Sequence, residues 1–91
     1  MDKEAYKQKQ EAQLKEWQAE IDKLKAQTQK KSAESKIAYE ENIKKLEEKK
    51  EEASEKFKAL QETGDERWEE VKSEFEKKAE DFKKQLKDIF S

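Results

Sequence analysis

This chain has no cysteine, no proline and no histidine, and Gly64 is its one glycine. The missing cysteine excludes a disulfide framework and a thiol nucleophile. Without histidine as well, zinc sites built from His or Cys and nucleophile pairs built on an imidazole have no residues to form them. One glycine cannot make a Gly-rich phosphate loop. Long apolar runs are also missing. The longest is Ile37-Ala38-Tyr39, far short of the roughly 20 residues a membrane-spanning helix requires. The opening Met1-Asp2-Lys3-Glu4-Ala5-Tyr6 has no apolar stretch of the secretory-signal kind. A cytoplasmic location is therefore expected.

Charged side chains are abundant, at 51% of 91 residues, yet they nearly cancel to a net charge of −2. A nucleic-acid binder usually carries a basic face. Here Lys44, Lys45, Lys49 and Lys50 are interleaved with Glu40, Glu41, Glu47, Glu48, Glu51 and Glu52. That mixture reads as a solvated helix face, and no nucleic-acid partner is expected. Carboxylates are plentiful, but a catalytic one needs a concave, partly dry site to tune its pKa. Narrow helices provide little such volume. The chain is expected to be no enzyme, with no catalytic residue, metal, cofactor or small-molecule substrate.

What is present favours helix. Lys, Glu, Gln, Ala and Leu dominate, all good helix formers, and the absence of proline leaves no obligatory break. Glu precedes Lys by four residues at Glu11–Lys15, Glu40–Lys44, Glu41–Lys45, Glu52–Lys56, Glu74–Lys78 and Glu80–Lys84. Each such pair is worth about 0.2–0.5 kcal/mol to a helix.

The apolar residues follow the same period. Leu14, Trp17, Ile21 and Leu24 alternate by three and four, and Ile43, Leu46, Lys50, Ala53, Phe57 and Leu60 continue as a seam broken once by a lysine. A disordered charged chain has no reason to align its large side chains in this way. Toward the end, Trp68, Val71, Phe75, Ala79, Phe82, Leu86 and Phe90 keep a stripe. Residues eleven apart now coincide: Phe57, Trp68, Ala79 and Phe90; Leu60, Val71 and Phe82; Phe75 and Leu86. That period suits straight packing better than a left-handed supercoil.

Two places can interrupt the helix. At 61–65, Gly64 can stand just past a helix end, and Thr63 with Glu66 fits a capping box, with Asp65 as the alternative cap. A turn can also fall within 27–36, where Thr28, Ser32 and Ser35 lie and no large apolar residue occurs between Leu24 and Ile37.

The expectation is an all-α fold of long amphipathic helices. Residues 1–62 form a long coiled-coil segment, a joint lies near 61–65, and residues 66–90 form a C-terminal amphipathic helix. This arrangement gives a coiled-coil hairpin or an oligomer. If the chain also turns within 27–36, the alternative is a three-helix bundle. The packing surface is assigned to Leu14, Trp17, Ile21, Leu24, Ile43, Leu46, Phe57, Leu60, Trp68, Val71, Phe75, Phe82 and Leu86. A hairpin with an open stripe is only marginally stable, so self-association is expected, or else another helical protein as partner.

The C-terminal stripe admits a second use. Trp68, Phe75, Phe82 and Leu86 are accompanied by Lys72, Lys83, Lys84 and Lys87, and helices of that kind lie in membrane interfaces. Residues 63–91 hold nine acidic against seven basic residues, which gives no net pull toward anionic lipid. Packing against protein is the first expectation and reversible membrane-surface binding the alternative.

The stretch from Leu14 to Leu24 (LKEWQAEIDKL), Tyr39 ahead of a Glu/Lys-rich heptad stretch, and Trp68-Glu69-Glu70-Val71-Lys72 opening an aromatic final helix resemble a family. It is the small bacterial coiled-coil stress-response family first noted in cyanobacteria. Gly64 departs from the Ala- and Ser-rich joint expected of that family. The resemblance implies a cytoplasmic, non-enzymatic, stress-induced protein and brings no ligand or catalytic residue with it. A fainter likeness to desiccation-protective helical proteins and apolipoproteins comes from the eleven-residue period alone.

Overall fold

The computed structural model describes residues 2–90, with the side chain of Phe90 outside the description. Its long elements are three helices, α1 (Lys3–Thr28), α2 (Ala33–Glu62) and α3 (Trp68–Phe90), packed antiparallel in sequence order, and the described residues include no strand. Both interruptions are present, so the chain adopts the three-helix arrangement. The segment 1–62 is two helices and not one.

The start of α1 is fixed by Asp2, whose side chain accepts from the Glu4 backbone N–H at 3.0 Å. Its end is softer. Gln29 is still right-handed helical, at φ −62 and ψ −20. Lys30 N–H donates to the Gln27 carbonyl at 3.1 Å and Lys31 N–H to the Thr28 carbonyl at 3.0 Å, tightening the last turn. Ser32 then swings into extended backbone, at φ −66 and ψ 160, and caps α2 without a side-chain hydrogen bond.

The second joint is built differently. Thr63 (ψ 149) and Gly64 (ψ 175) are both extended, and a 3-10 turn over Asp65–Arg67 leads into Trp68. Gly64 does stand just beyond the α2 cap, but its φ is −83 and no described residue has positive φ. The expected capping box is not formed. Gly64 itself caps the 3-10 turn and no side-chain cap bond is made there, so neither Thr63 nor Asp65 has the role expected of it. The final helix opens at Trp68 and not at residue 66.

A Cβ added at Gly64 would meet nothing within 4 Å. Gly64→Ala should therefore stabilise the bundle by about 0.5 kcal/mol, mostly by restricting the unfolded chain. A small rise in melting temperature is the expected readout, and it is compatible with the break.

The buried apolar residues form one cluster running through the bundle, from Leu14, Trp17, Ile21 and Leu24 on α1 to Ile43, Leu46, Ala53, Phe57 and Leu60 on α2. Trp68, Val71, Phe75, Ala79 and Phe82 on α3 complete it. The closest approach is between α2 and α3, where Ala53 and Ala79 are buried. Small side chains let helix backbones come near one another.

Candidate functional site

The surface most able to carry function is the seam where α1 meets the α2–α3 pair. The assigned packing residues Leu14, Trp17, Ile21, Leu24, Ile43, Leu46, Phe57, Leu60, Trp68, Val71, Phe75 and Phe82 are all buried in the shared cluster. Leu86 is half-buried and packs against it with Tyr6 and Ile89. Phe90 falls outside the described side chains. Lys50, the polar break in the seam, is half-buried, as expected of a lysine whose stem lies along apolar surface while its ammonium reaches water.

Aromatic rings carry the contact between α1 and α3, whose backbones do not approach closely. Trp17 stacks on Phe82 with ring centres 4.3 Å apart and planes 21° from parallel. Nearer the joint with α2, Tyr6 meets Trp68 edge-on at 5.9 Å. Lys3 and Lys7 place their ammonium groups 5.1 and 5.7 Å from the Trp68 ring centre, and Lys72 lies 4.9 Å from that of Tyr6. Such cation–ring contacts contribute about 0.5–1 kcal/mol each near the surface. Lys3 also hydrogen-bonds Asp65, and that bond, ahead of the lysine charge, lowers the Asp65 carboxyl below its ordinary range.

The Tyr6 hydroxyl donates to Glu76 Oε1 at 3.4 Å. Burial first, then the Glu76 charge and hydrogen bond and the Glu69 charge, push its pKa up from 10.0 to about 12. The folded state thus prefers the neutral phenol. Whatever stability this contributes is intact below pH 10.0 and is lost as the pH rises through about 12. Tyrosinate absorbance in the folded protein, compared with Tyr6→Phe, should show this late titration. A phenol titrating at its ordinary value would mean that Tyr6 is not docked.

The α2–α3 contact has a charged edge that spacing alone did not reveal. Glu11–Lys15 pairs within α1 as expected, at 3.7 Å. Two other expected pairs exchange partners across the interface: Lys56 reaches Glu74 at 3.3 Å and Lys78 reaches Glu52 at 3.7 Å. Lys49 also approaches Glu52, at 3.9 Å. Glu52 Oε2 is shielded from water yet makes no hydrogen bond, because both ammonium groups stay beyond hydrogen-bond reach. These side chains are each more than a third exposed, so each pair is worth about 0.2–1 kcal/mol and matters more for register than for strength.

Thr28, a turn signal in the sequence, also belongs to the site. It is buried, and its hydroxyl donates to the Leu24 carbonyl at 2.7 Å. The signal was available: Thr28 continues the three–four alternation of Leu14, Trp17, Ile21 and Leu24. Tyr6, eleven residues before Trp17, was legible on the same grounds.

Surface grooves are lined mainly by charged residues, as along Lys44, Glu47, Glu48, Glu51 and Glu52 on one face of α2. Among the described residues no group of three or more His, Cys, Asp or Glu side chains is placed to hold a metal ion, and no helix is long and apolar enough to cross a membrane. Compared with known protein families, characterised proteins and solved structures, the chain shows no match.

Proposed function

We propose that this is a non-enzymatic protein that works by contact between helices, with a second copy or another helical protein as its partner. The observation that supports it most is the seam itself, in which apolar residues of all three helices are buried against one another. The aromatic and aliphatic stripe lies inside one bundle, and the only large apolar side chain exposed among the described residues is Ile37. The outside is a mixed-charge helical surface without an apolar patch of the size that marks a ligand groove. A structural role under stress, in the cytoplasm, is the setting that the family resemblance implies. It rests on the residues quoted for that resemblance.

The competing reading is reversible binding to a lipid surface by α3, the most amphipathic of the helices. To use its stripe there, the bundle has to open. Circular dichroism and vesicle flotation separate the two. The expected result is strong helicity in water, unchanged by vesicles containing anionic lipid, with the protein left in solution. If helicity instead rises with vesicles and Trp68→Ala abolishes flotation, lipid binding replaces the present reading.

A further inference from the structure

Closure of the stripe within one chain leaves no open hairpin face for a second copy to cover. The joint between α1 and α2 supplies a different reason for self-association. It is formed by Gln29, Lys30, Lys31 and Ser32, with neither glycine nor proline. Gln29 is already helical, Lys30 and Lys31 still bond back to Gln27 and Thr28, and Ser32 is extended through ψ 160. The contacts across this turn are exposed ones: Lys36 Nζ to Gln29 Oε1 at 3.3 Å, and Lys31 over the Tyr39 ring at 4.8 Å. The other joint has two successive extended residues and a 3-10 turn, a far larger departure from helix.

We propose that a second copy of this chain is the partner, and that two copies exchange α1 by straightening 29–32 into a continuous α1–α2 helix. The proposal rests on the helix-contact reading above and names its partner. The straightened helix would hold about 60 residues and be about 90 Å long. Each α1 then occupies, on the other copy, the place it leaves on its own. Trp17 stacks on the other copy's α3, and Lys25 of one chain reaches α2 of the other, replacing its present 3.2 Å contact with Glu47.

Three features favour exchange over surface association. The interface is already made and complementary, so no buried contact has to be invented. The N–H donors at the start of α2, which lack intrahelical partners at a turn, gain them in the straight helix, and the tight bonds from Lys30 to Gln27 and from Lys31 to Thr28 give way to α-helical ones. And α1 is the separable element. It meets α3 through side chains and α2 over a smaller contact than the one between α2 and α3, which are also cross-linked by the reciprocal pairs Lys56–Glu74 and Lys78–Glu52. A surface dimer, by contrast, would have, among the described residues, a largely charged exterior and Ile37 to bury.

Two substitutions at the joint should act in opposite directions. Ser32 makes no side-chain cap bond, so Ser32→Ala acts through the higher helix propensity of alanine, favours the straight form at the joint of each copy and should tighten dimerisation by about fivefold. Ala33 is the first residue of α2 and follows an extended residue, a place that suits proline in the turned form. Inside the straight helix the same proline is a breaker, so Ala33→Pro should weaken the dimer by more than about a thousandfold while keeping the helicity of the bundle.

The experiment is sedimentation equilibrium on wild type, Ser32→Ala and Ala33→Pro after refolding over a range of concentrations. Isotopically heavy and light chains are refolded together and joined by zero-length cross-linking of Lys25 to Glu47. Exchange predicts dimers in wild type and more in Ser32→Ala, a folded monomer for Ala33→Pro, and heavy-to-light Lys25–Glu47 links in the dimer fraction. Three results overturn it: wild type and Ser32→Ala both monomeric throughout, Ala33→Pro dimerising like wild type, or dimers whose Lys25–Glu47 links stay within one chain. None of these bears on the vesicle experiment, so exchange can fail while the helix-contact reading stands.

Discussion

Phe82→Ala is expected to lower the stability of the bundle by about 3–5 kcal/mol, the usual cost of removing a fully buried phenylalanine. Phe82 is 0% exposed and its ring lies on Trp17 across the gap between α1 and α3. Small domains typically hold about 5–15 kcal/mol in total, so the variant should be near the edge of folding. Trp17→Ala should cost a similar amount, because Trp17 is buried from the other side of the same stack. The pair then makes a double-mutant cycle. If the stacked geometry contributes beyond area burial, the two losses combined should fall short of their sum by about 0.5–1.5 kcal/mol. Urea unfolding followed by circular dichroism measures all four corners. Additive losses would mean that the rings pack independently and that the 4.3 Å stack does not couple α1 to α3.

The second large effect lies on α2, where neighbouring seam positions should respond with opposite signs. Leu46 is 0% exposed, and Leu46→Ala should cost about 2–5 kcal/mol through lost transfer energy and the cavity left behind. Lys50 lies one turn further along the same stripe and is only half-buried. Lys50→Leu should stabilise by about 1 kcal/mol, since roughly half of a leucine's burial becomes available. Thermal unfolding of both variants checks the pair. A destabilised Lys50→Leu would show that the lysine is held in place by contacts the seam depends on.

These positions were legible in the sequence because burial in a bundle follows helical period. Leu14 to Leu24, Ile43 to Leu60 and Trp68 to Phe82 could be placed on one stripe by counting. The all-helical class follows from the same stripe together with the absence of proline. The joint at Gly64 was legible too, though for an incomplete reason: the glycine is extended, and the break comes from Thr63 and Gly64 together. The eleven-residue coincidence was misleading where it linked Phe57 to Trp68. Those residues lie on different helices either side of that break, and the period has meaning only within a single helix.

Less legible was the turn at 29–32. Gln, Lys, Lys and Ser do not forbid helix, and what turns the chain is tertiary packing acting on the backbone at Ser32. The charge partners were hidden for a related reason. Spacing puts Glu52 near Lys56 and Glu74 near Lys78, but it cannot say that two such pairs will face each other antiparallel and trade partners. The aromatic cluster at Tyr6 and Trp68 needed the fold, because it joins residues from opposite ends of the chain.

The uneven spacing of the helices gives the bundle two stabilities in place of one. With α2 and α3 in the most extensive contact, and α1 held by a smaller contact with α2 and by ring-to-ring and lysine-to-ring contacts with α3, the first cooperative opening is expected to release α1. Its amide protons then exchange with solvent through an event smaller than global unfolding, whereas those of Ala53 and Ala79, in the middle of the remaining hairpin, wait for the whole chain to open. Denaturant would show the difference directly: the α1 amides would respond with a shallower slope, because less surface is uncovered when one helix leaves than when the whole chain unfolds, and the hairpin amides with the full slope of unfolding.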